Sequence, residues 1–210
     1  MSYGAVLDLI ATYSGLLPVI AFLYNYRHLD SLMKLISAFL IVSALFDILL
    51  SLSSDWGLAN NMPAIHVYII INIVFFGFIY YKAFFDERLK KITLVLTGVA
   101  LLVCLYFAQR LLEYPSISNT ASGIAFIILA LLYFYQLLTR QEFVHIEKQG
   151  LFWFNAAVLF YFSINIFLFM LFPLLPLADR PSYYVINNIT NIIANLLYTT
   201  ALLCQPQKTA

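Results

Sequence analysis

The residues of this chain that could do chemistry are the polar side chains that interrupt otherwise apolar stretches. Ser43, Asp47 and Ser51 stand four residues apart, so they share one face of a helix. An aspartate at membrane depth costs about 2.5–3.5 kcal/mol on insertion scales and usually marks a function. Asp47 is therefore the strongest single functional candidate. The structural alternative is a protonated or water-capped carboxyl that is hydrogen-bonded to its own helix and to a neighbour.

A second polar pattern lies near the end of the chain, where Tyr184, Asn188, Asn191, Asn195 and Tyr198 are spaced 4, 3, 4 and 3 residues apart. This spacing places them in one stripe along a helix. A buried amide without a partner costs about 1–3 kcal/mol, whereas a hydrogen bond between membrane helices returns about 0.6 kcal/mol. The stripe must therefore face protein or trapped water. Two interpretations stay open: a structural hydrogen-bond ladder, or the lining of a polar cavity.

Two further pairs with i, i+4 spacing, one in the third apolar segment and one in the sixth, could point to the same interior. The full set of predicted pocket residues is Ser43, Asp47, Tyr68, Asn72, Tyr161, Asn165, Tyr184, Asn188, Asn191 and Asn195. Most of these residues fall in the same half of their segments, which predicts a cleft that opens towards one side of the membrane.

Three more residues are secondary candidates. Asp8 stands four residues before Thr12, but it is close enough to a segment end to be simply hydrated. His66 and Arg110 could supply cationic partners for Asp47. The alternative for Arg110 is that its side chain extends to the lipid headgroups.

Cofactor chemistry is not predicted. Cys104 and Cys204 lie in different segments, and the three histidines are scattered, so no metal or haem site is expected. The last segment has no lysine for a retinal Schiff base, and the chain has no phosphate-binding glycine loop or nucleophile elbow. We therefore expect no catalytic residues, no metal and no cofactor.

The composition identifies the surroundings in which these polar residues lie. Apolar residues make up 63% of the 210 residues and charged residues 10%, against about 25% charged in a soluble domain. The mean hydropathy of +0.91 and the aromatic content of 17% exclude disorder as well. Because a helix needs about 20 residues to cross a bilayer, the chain accommodates seven spans with short loops.

The sequence therefore predicts an all-α bundle of seven transmembrane helices that forms a single domain over residues 1–210. The expected segments are 5–24, 32–52, 62–84, 89–110, 118–138, 150–172 and 182–204. Of the seven prolines, Pro18 alone lies inside a segment, where it predicts a kink or a freed carbonyl.

The basic residues predict the orientation of the bundle. Two of them, Arg110 and Arg180, fall on one side, and nine fall on the other: Arg27, Lys34, Lys82, Arg88, Lys90, Lys91, Arg140, Lys148 and Lys208. By the positive-inside rule the N-terminus is outside and the C-terminus is cytoplasmic. The basic loop 82–91 is either a topology signal alone or a site for anionic headgroups or an acidic partner. The net charge of +1 gives no reason to expect a nucleic-acid partner.

Several stretches together resemble a known group of proteins: Leu17-Pro18 followed by Arg27, the segment from Ser43 to Ser51, Phe152-Trp153, and the close from Asn188 to Lys208. This set is similar to small, stand-alone seven-helix membrane proteins of Bacteroidota to which no activity is assigned. The resemblance implies the fold and a bacterial inner membrane. It implies no catalytic residues.

From these patterns we expect a receptor-like or sensory protein that binds a small molecule or lipid in an outward-facing polar pocket. It would act through a separate cytoplasmic or membrane partner, because the loops are too short to hold a signalling domain. The first alternative is a small-solute or proton-coupled transporter in which Asp47 titrates. The second is a membrane-embedded lipid enzyme, which needs another acid or base within reach of Asp47.

Overall fold

A computed structural model describes residues 3–55, 60–139, 145–176 and 180–204 of the chain. Its regular structure in these ranges is entirely helical. The α-helices are α1 (Tyr3–Ser14), α2 (Leu16–Asn25), α3 (Ser31–Asp55), α4 (Met62–Ala83), α5 (Glu87–Phe107), α6 (Ser116–Thr139), α7 (Gly150–Leu171) and α8 (Arg180–Leu203). Short 3-10 helices follow or precede them at Tyr26–His28, Ala108–Arg110, Ile146–Lys148 and Phe172–Leu174.

Helices α1 and α2 are two halves of one rod that is interrupted at Gly15. The interruption follows from Pro18, whose nitrogen carries no hydrogen to bond the carbonyl of Ser14 and whose ring crowds that carbonyl. The sequence predicted this irregularity. With α1 and α2 taken together, the described chain forms seven helical rods.

Six of these rods are long and apolar enough to cross a membrane, which indicates a helical integral membrane protein. They are Val6–His28, Ser31–Ser53, Met62–Ala83, Glu87–Arg110, Ser116–Thr139 and Gly150–Leu174. Each agrees with a predicted segment to within a few residues. The seventh predicted segment is the 24-residue helix α8, which is long enough but is not among the six apolar spans. The asparagine stripe lowers its hydropathy.

The rods pack in chain order around a closed bundle. Each of α3 to α8 contacts the next, and the α1–α2 rod closes the circle by packing against both α3 and α8. We define the N-terminal end of the bundle as the end where α1 begins, marked by the hydrogen bonds from Asn188 to Asp8 and from Ser116 to Met170. The opposite, C-terminal end is marked by the 2.8 Å bond from Asn25 Nδ2 to the Leu202 carbonyl.

Buried aromatic rings fill the centre of the bundle. The ring of Phe76 stacks on Phe126 with centroids 4.1 Å apart and also contacts Phe154 at 6.0 Å. Phe154 in turn contacts Tyr80 and Tyr198. We call Phe76, Tyr80, Phe154 and Tyr198 the aromatic floor, because they separate the C-terminal end from the cavity described next.

Candidate functional site

A polar cavity of about 150 Å³ lies inside the bundle, on the N-terminal side of the aromatic floor. Side chains of α3, α4, α6, α7 and α8 line it, together with Gly15 at the junction of α1 and α2, whereas α5 contributes none of its described lining. The lining residues are Gly15, Phe39, Leu40, Ser43, Ala44, Asp47, Tyr68, Ile69, Asn72, Phe76, Asn119, Ser122, Phe126, Tyr161, Phe162, Phe169, Asn187, Asn191, Ala194, Asn195 and Tyr198.

The volume limits what the cavity can hold. One water occupies about 30 Å³ of liquid, and a dry engineered cavity of about 150 Å³ holds benzene. The cavity of 150 Å³ therefore has room for roughly five waters or for a solute of about six non-hydrogen atoms. A complete lipid molecule does not fit.

Asp47 is the acidic group of the cavity. Among the residues that the structure describes, its carboxyl makes no hydrogen bond and no salt bridge, and no lysine, arginine or histidine lines the cavity. A charged group shielded from water needs a counter-charge or hydrogen-bond donors to be stable. The described protein does not provide a counter-charge, so the carboxyl is available to water or to a ligand.

The wall around Asp47 is built by α3 and α4. The hydroxyls of Ser43 and Tyr68 are hydrogen-bonded to each other across these helices, and either can be the donor. One turn along α4, the side-chain oxygen of Asn72 is buried and has no hydrogen-bond partner in the described structure. The i, i+4 spacing predicted that each pair shares one face of its own helix, and the structure brings the four residues to one cavity.

Helix α8 provides the opposite wall. Asn191, Asn195 and Tyr198 of the predicted stripe line the cavity. Asn195 donates hydrogen bonds to Ser14 Oγ at 2.8 Å and to Asn191 Oδ1 at 3.4 Å. The two interpretations left open by the sequence are thus combined in one helix, because these amides both bond to each other and line a cavity.

The first two residues of the stripe, Tyr184 and Asn188, do not line the cavity. Asn188 donates a 3.3 Å hydrogen bond to Asp8, an exposed residue of α1, and neither lines the cavity. Tyr184 is half exposed and its ring contacts Phe172. Members of one stripe on α8 therefore meet different neighbours along the helix.

Asn165 is also placed beside the cavity and not in its lining. It is fully buried, and its amide donates to the hydroxyl of Thr190 at 2.8 Å and to the Tyr161 carbonyl at 2.9 Å. Tyr161 does line the cavity and donates to Asn187 Oδ1 at 3.3 Å. Asn165 therefore ties α7 to α8 behind the cavity wall.

His66 and Arg110 are not partners of Asp47. Both line a separate, wider groove at the N-terminal end. His66 is buried and its Nε2 lies 3.2 Å from the carbonyl oxygen of Glu113. Arg110 pairs at 3.6 Å with the carboxylate of the same Glu113, and its side chain is 65% exposed. In this groove, burial raises the pKa of the Tyr114 hydroxyl above its ordinary value.

Three polar lining residues were not among the sequence candidates: Asn119, Ser122 and Asn187. Asn119 and Ser122 stand three residues apart on α6, a spacing that places them on one face and could have indicated them. Asn187 gave no such signal, because it is the neighbour of Asn188 and falls off the predicted stripe.

In chemical terms the described lining offers one carboxyl group, five asparagine amides, five serine or tyrosine hydroxyls and five phenylalanine rings. No group of three or more metal-binding histidine, cysteine, aspartate or glutamate side chains exists in the described part of the chain. The lining is therefore suited to binding a small polar molecule through hydrogen bonds and charge.

Comparisons of the chain with protein-family models, with curated proteins and with solved structures give no match in any of the three. The resemblance to Bacteroidota seven-helix proteins therefore stays a prediction. What the structure supports is a helical membrane protein with about seven helices. The case for function rests on the cavity itself.

Proposed function

We propose that this protein is a receptor-like or sensory seven-helix membrane protein that binds a small polar molecule in the cavity around Asp47. The observation that carries the proposal is that polar side chains from several helices surround one internal space next to an unpaired carboxyl. Polar groups are expensive within an apolar bundle, and an acidic side chain at membrane depth usually marks a function.

The aromatic floor favours a receptor over a carrier. A carrier needs a polar path from the cavity to the C-terminal end, and Asn155 is the polar residue on α7 that could continue it. Asn155 is instead fully buried and bonded to the Tyr80 hydroxyl at 2.7 Å and to the Leu151 carbonyl. Transport would require Tyr80 and Phe154 to move apart, so a small-solute or proton-coupled transporter is the second candidate.

A membrane-embedded lipid enzyme is the least supported of the three functions. It needs a second acid or base that exchanges a proton with Asp47, and no described side chain is hydrogen-bonded to that carboxyl. The volume of 150 Å³ also excludes a whole lipid from the cavity.

The proposal includes an orientation and a partner. The described basic residues at the C-terminal end are Arg27, Lys34, Lys82, Arg88, Lys90, Lys91 and Lys148. By the positive-inside rule this end is cytoplasmic and the cavity lies nearer the outside. The resemblance to Bacteroidota seven-helix proteins implies that the membrane is a bacterial inner membrane. Residues 82–91, which run from the end of α4 to the start of α5, carry four of these cations. They form the surface on which a separate acidic partner or anionic lipid would bind.

The test is a thermal-shift screen of small metabolites on the purified protein in detergent or nanodiscs. We expect hits whose stabilisation is lost in Asn191→Ala, which alters the cavity wall, and is kept in Asn188→Ala. The second variant is the matched control, because it removes the same side chain from the same helix at a position outside the cavity.

If every hit stabilises Asn191→Ala and Asn188→Ala to the same extent, or stabilises neither, the result counts against binding in this cavity. Uptake of a confirmed hit into proteoliposomes would favour the transporter instead. A hit that binds without uptake supports the receptor.

A further inference from the structure

The lining of the cavity contains one acidic side chain and, in the described part of the chain, no basic one. Asp47 is its acidic member, and the described lining contains no basic side chain that could neutralise it. Asp8, the acidic residue that begins the same pattern on α1, lies outside the cavity and is bonded to Asn188. A ligand that enters the cavity therefore meets one carboxyl group and no cation.

A second lining residue also has a hydrogen-bond acceptor without a partner. The Oδ1 atom of Asn72 is buried without a partner, and Asn72 and Asp47 line the same cavity. A protonated amine has N–H groups that would satisfy this oxygen and the carboxylate together, and a hydrogen bond to a charged group contributes more than a neutral one. A quaternary ammonium has no N–H group and would be held by the carboxylate and the aromatic rings alone.

Aromatic rings form much of the remaining wall. Phe76, Phe126 and Phe162 contact one another with centroids 4.1 to 6.0 Å apart, and all three line the cavity. Tyr68 and Tyr161 add further rings. The faces of such rings attract cations, most strongly where water is excluded, and they discriminate against anions.

We propose that the ligand of this cavity is a small organic cation, an amine or quaternary ammonium of about five or six non-hydrogen atoms, held by the Asp47 carboxylate and the aromatic wall. This inference rests on the proposed function and names the chemical class of its ligand. The size follows from the 150 Å³ of the cavity, and the charge follows from its unpaired acid.

The experiment compares molecules of similar size and different charge on the full-length protein. The probes are tetramethylammonium and n-butylammonium as cations, butan-1-ol as the neutral molecule and butyrate as the anion. Ligands of this size bind with Kd values on the order of millimolar, so titrations run to tens of millimolar with ionic strength held constant by sodium chloride. Calorimetry or thermal shift provides the readout.

We expect both cations to bind wild type, and butan-1-ol and butyrate to bind at least about tenfold more weakly. In Asp47→Asn, cation binding weakens by at least about tenfold, because the substitution removes the charge and keeps the shape of the side chain. Asp8→Asn is the matched control, because it removes the same charge outside the cavity, and it leaves cation binding unchanged.

The charge series on wild type tests the proposal even if Asp47→Asn does not fold. Binding of butan-1-ol or butyrate as tight as that of the cations overturns the cationic class, and so does cation binding that survives Asp47→Asn. If the hits of the wider screen are neutral or anionic and lose their stabilisation in Asn191→Ala, the proposed function stands and only the cationic class is overturned. Absence of any Asn191-dependent hit in the wider screen removes both.

Discussion

At the scale of single residues, the hydrogen bond from Tyr80 to Asn155 shows how this bundle treats polar groups in its interior. Both residues are fully buried, and the 2.7 Å bond is surrounded by Phe76, Phe84 and Phe154. Asn155 accepts this bond through Oδ1, and its Nδ2 donates to the Leu151 carbonyl of the same helix. These polar atoms are thus bonded to each other, in contrast to the Asp47 carboxyl and the Asn72 side-chain oxygen in the cavity.

Tyr80→Phe removes the hydroxyl and leaves the Asn155 side-chain oxygen without its donor. We expect a loss of about 0.6–1.7 kcal/mol in the free energy of unfolding, the measured range for hydrogen bonds between membrane helices. The measurement is reversible unfolding in mixed micelles. Tyr81→Phe is the control, because Tyr81 is the next residue on α4 and its side chain is 41% exposed. Equal effects of the two substitutions would contradict the assigned role of the bond.

Spacing along the sequence predicted which polar residues share a helix face, and it could not predict which neighbour each face meets. Ser43, Asp47, Tyr68 and Asn72 were expected together and line the cavity together. Asn188 belonged to the same predicted stripe as Asn191 and instead bonds to Asp8. Helix rotation and the register of the partner helix decide this, and neither is encoded in the spacing of one segment.

At the scale of helices, α8 is the element on which the site depends most. It packs against α7 and against both halves of the first rod. Its polar residues therefore lie in an interior surrounded by other helices, which explains how a helix of such low hydropathy is accommodated. The sequence predicted the helix correctly from its length and its apolar residues, and the stripe explains why it is not one of the six apolar spans.

The close approach of α7 to α8 at the C-terminal end depends on Gly150. A methyl group added there would overlap the Ala201 carbonyl oxygen and lie 2.8 Å from Met33 Cε. We expect Gly150→Ala to destabilise the protein by about 1–3 kcal/mol, the usual effect of overpacking. The free energy of unfolding measures it.

Gly98→Ala is the matched control for Gly150→Ala. Gly98 is also within a helix, and nothing lies within 4 Å of an added methyl group. There the substitution should be neutral or should stabilise α5 by up to about 1 kcal/mol, since alanine favours helix more than glycine does. A destabilised Gly98→Ala protein, or a stable Gly150→Ala protein, would argue against the described packing.

At the scale of the whole molecule, the distribution of basic residues gives the bundle its polarity. Seven described lysine and arginine side chains lie at the C-terminal end, whereas Arg110 lies at the other. The sequence alone predicted this asymmetry, because the positive-inside rule needs only the order of the segments. It predicted a polar pocket, but the full lining and the volume of the cavity depend on how six rods pack and could not be predicted.

Cysteine labelling tests the proposed orientation. In a background of Cys104→Ala and Cys204→Ser, we expect Glu113→Cys to react with a membrane-impermeant maleimide on intact cells. Glu87→Cys should react only after the membrane is permeabilised. The two sites are matched, since each glutamate is exposed and pairs with a basic residue three positions away. The reverse pattern of labelling would overturn the orientation.

Helix α5 offers a practical consequence of the arrangement. It packs on α4 and α6, it lines no part of the cavity, and Val95 on its outer face is 64% exposed. A fluorophore or spin label attached at Val95 would therefore follow movements of α4 and α6 without touching the ligand. The same independence leaves the outer surface of α5 free to adapt to the thickness and composition of the membrane while the lining around Asp47 stays fixed.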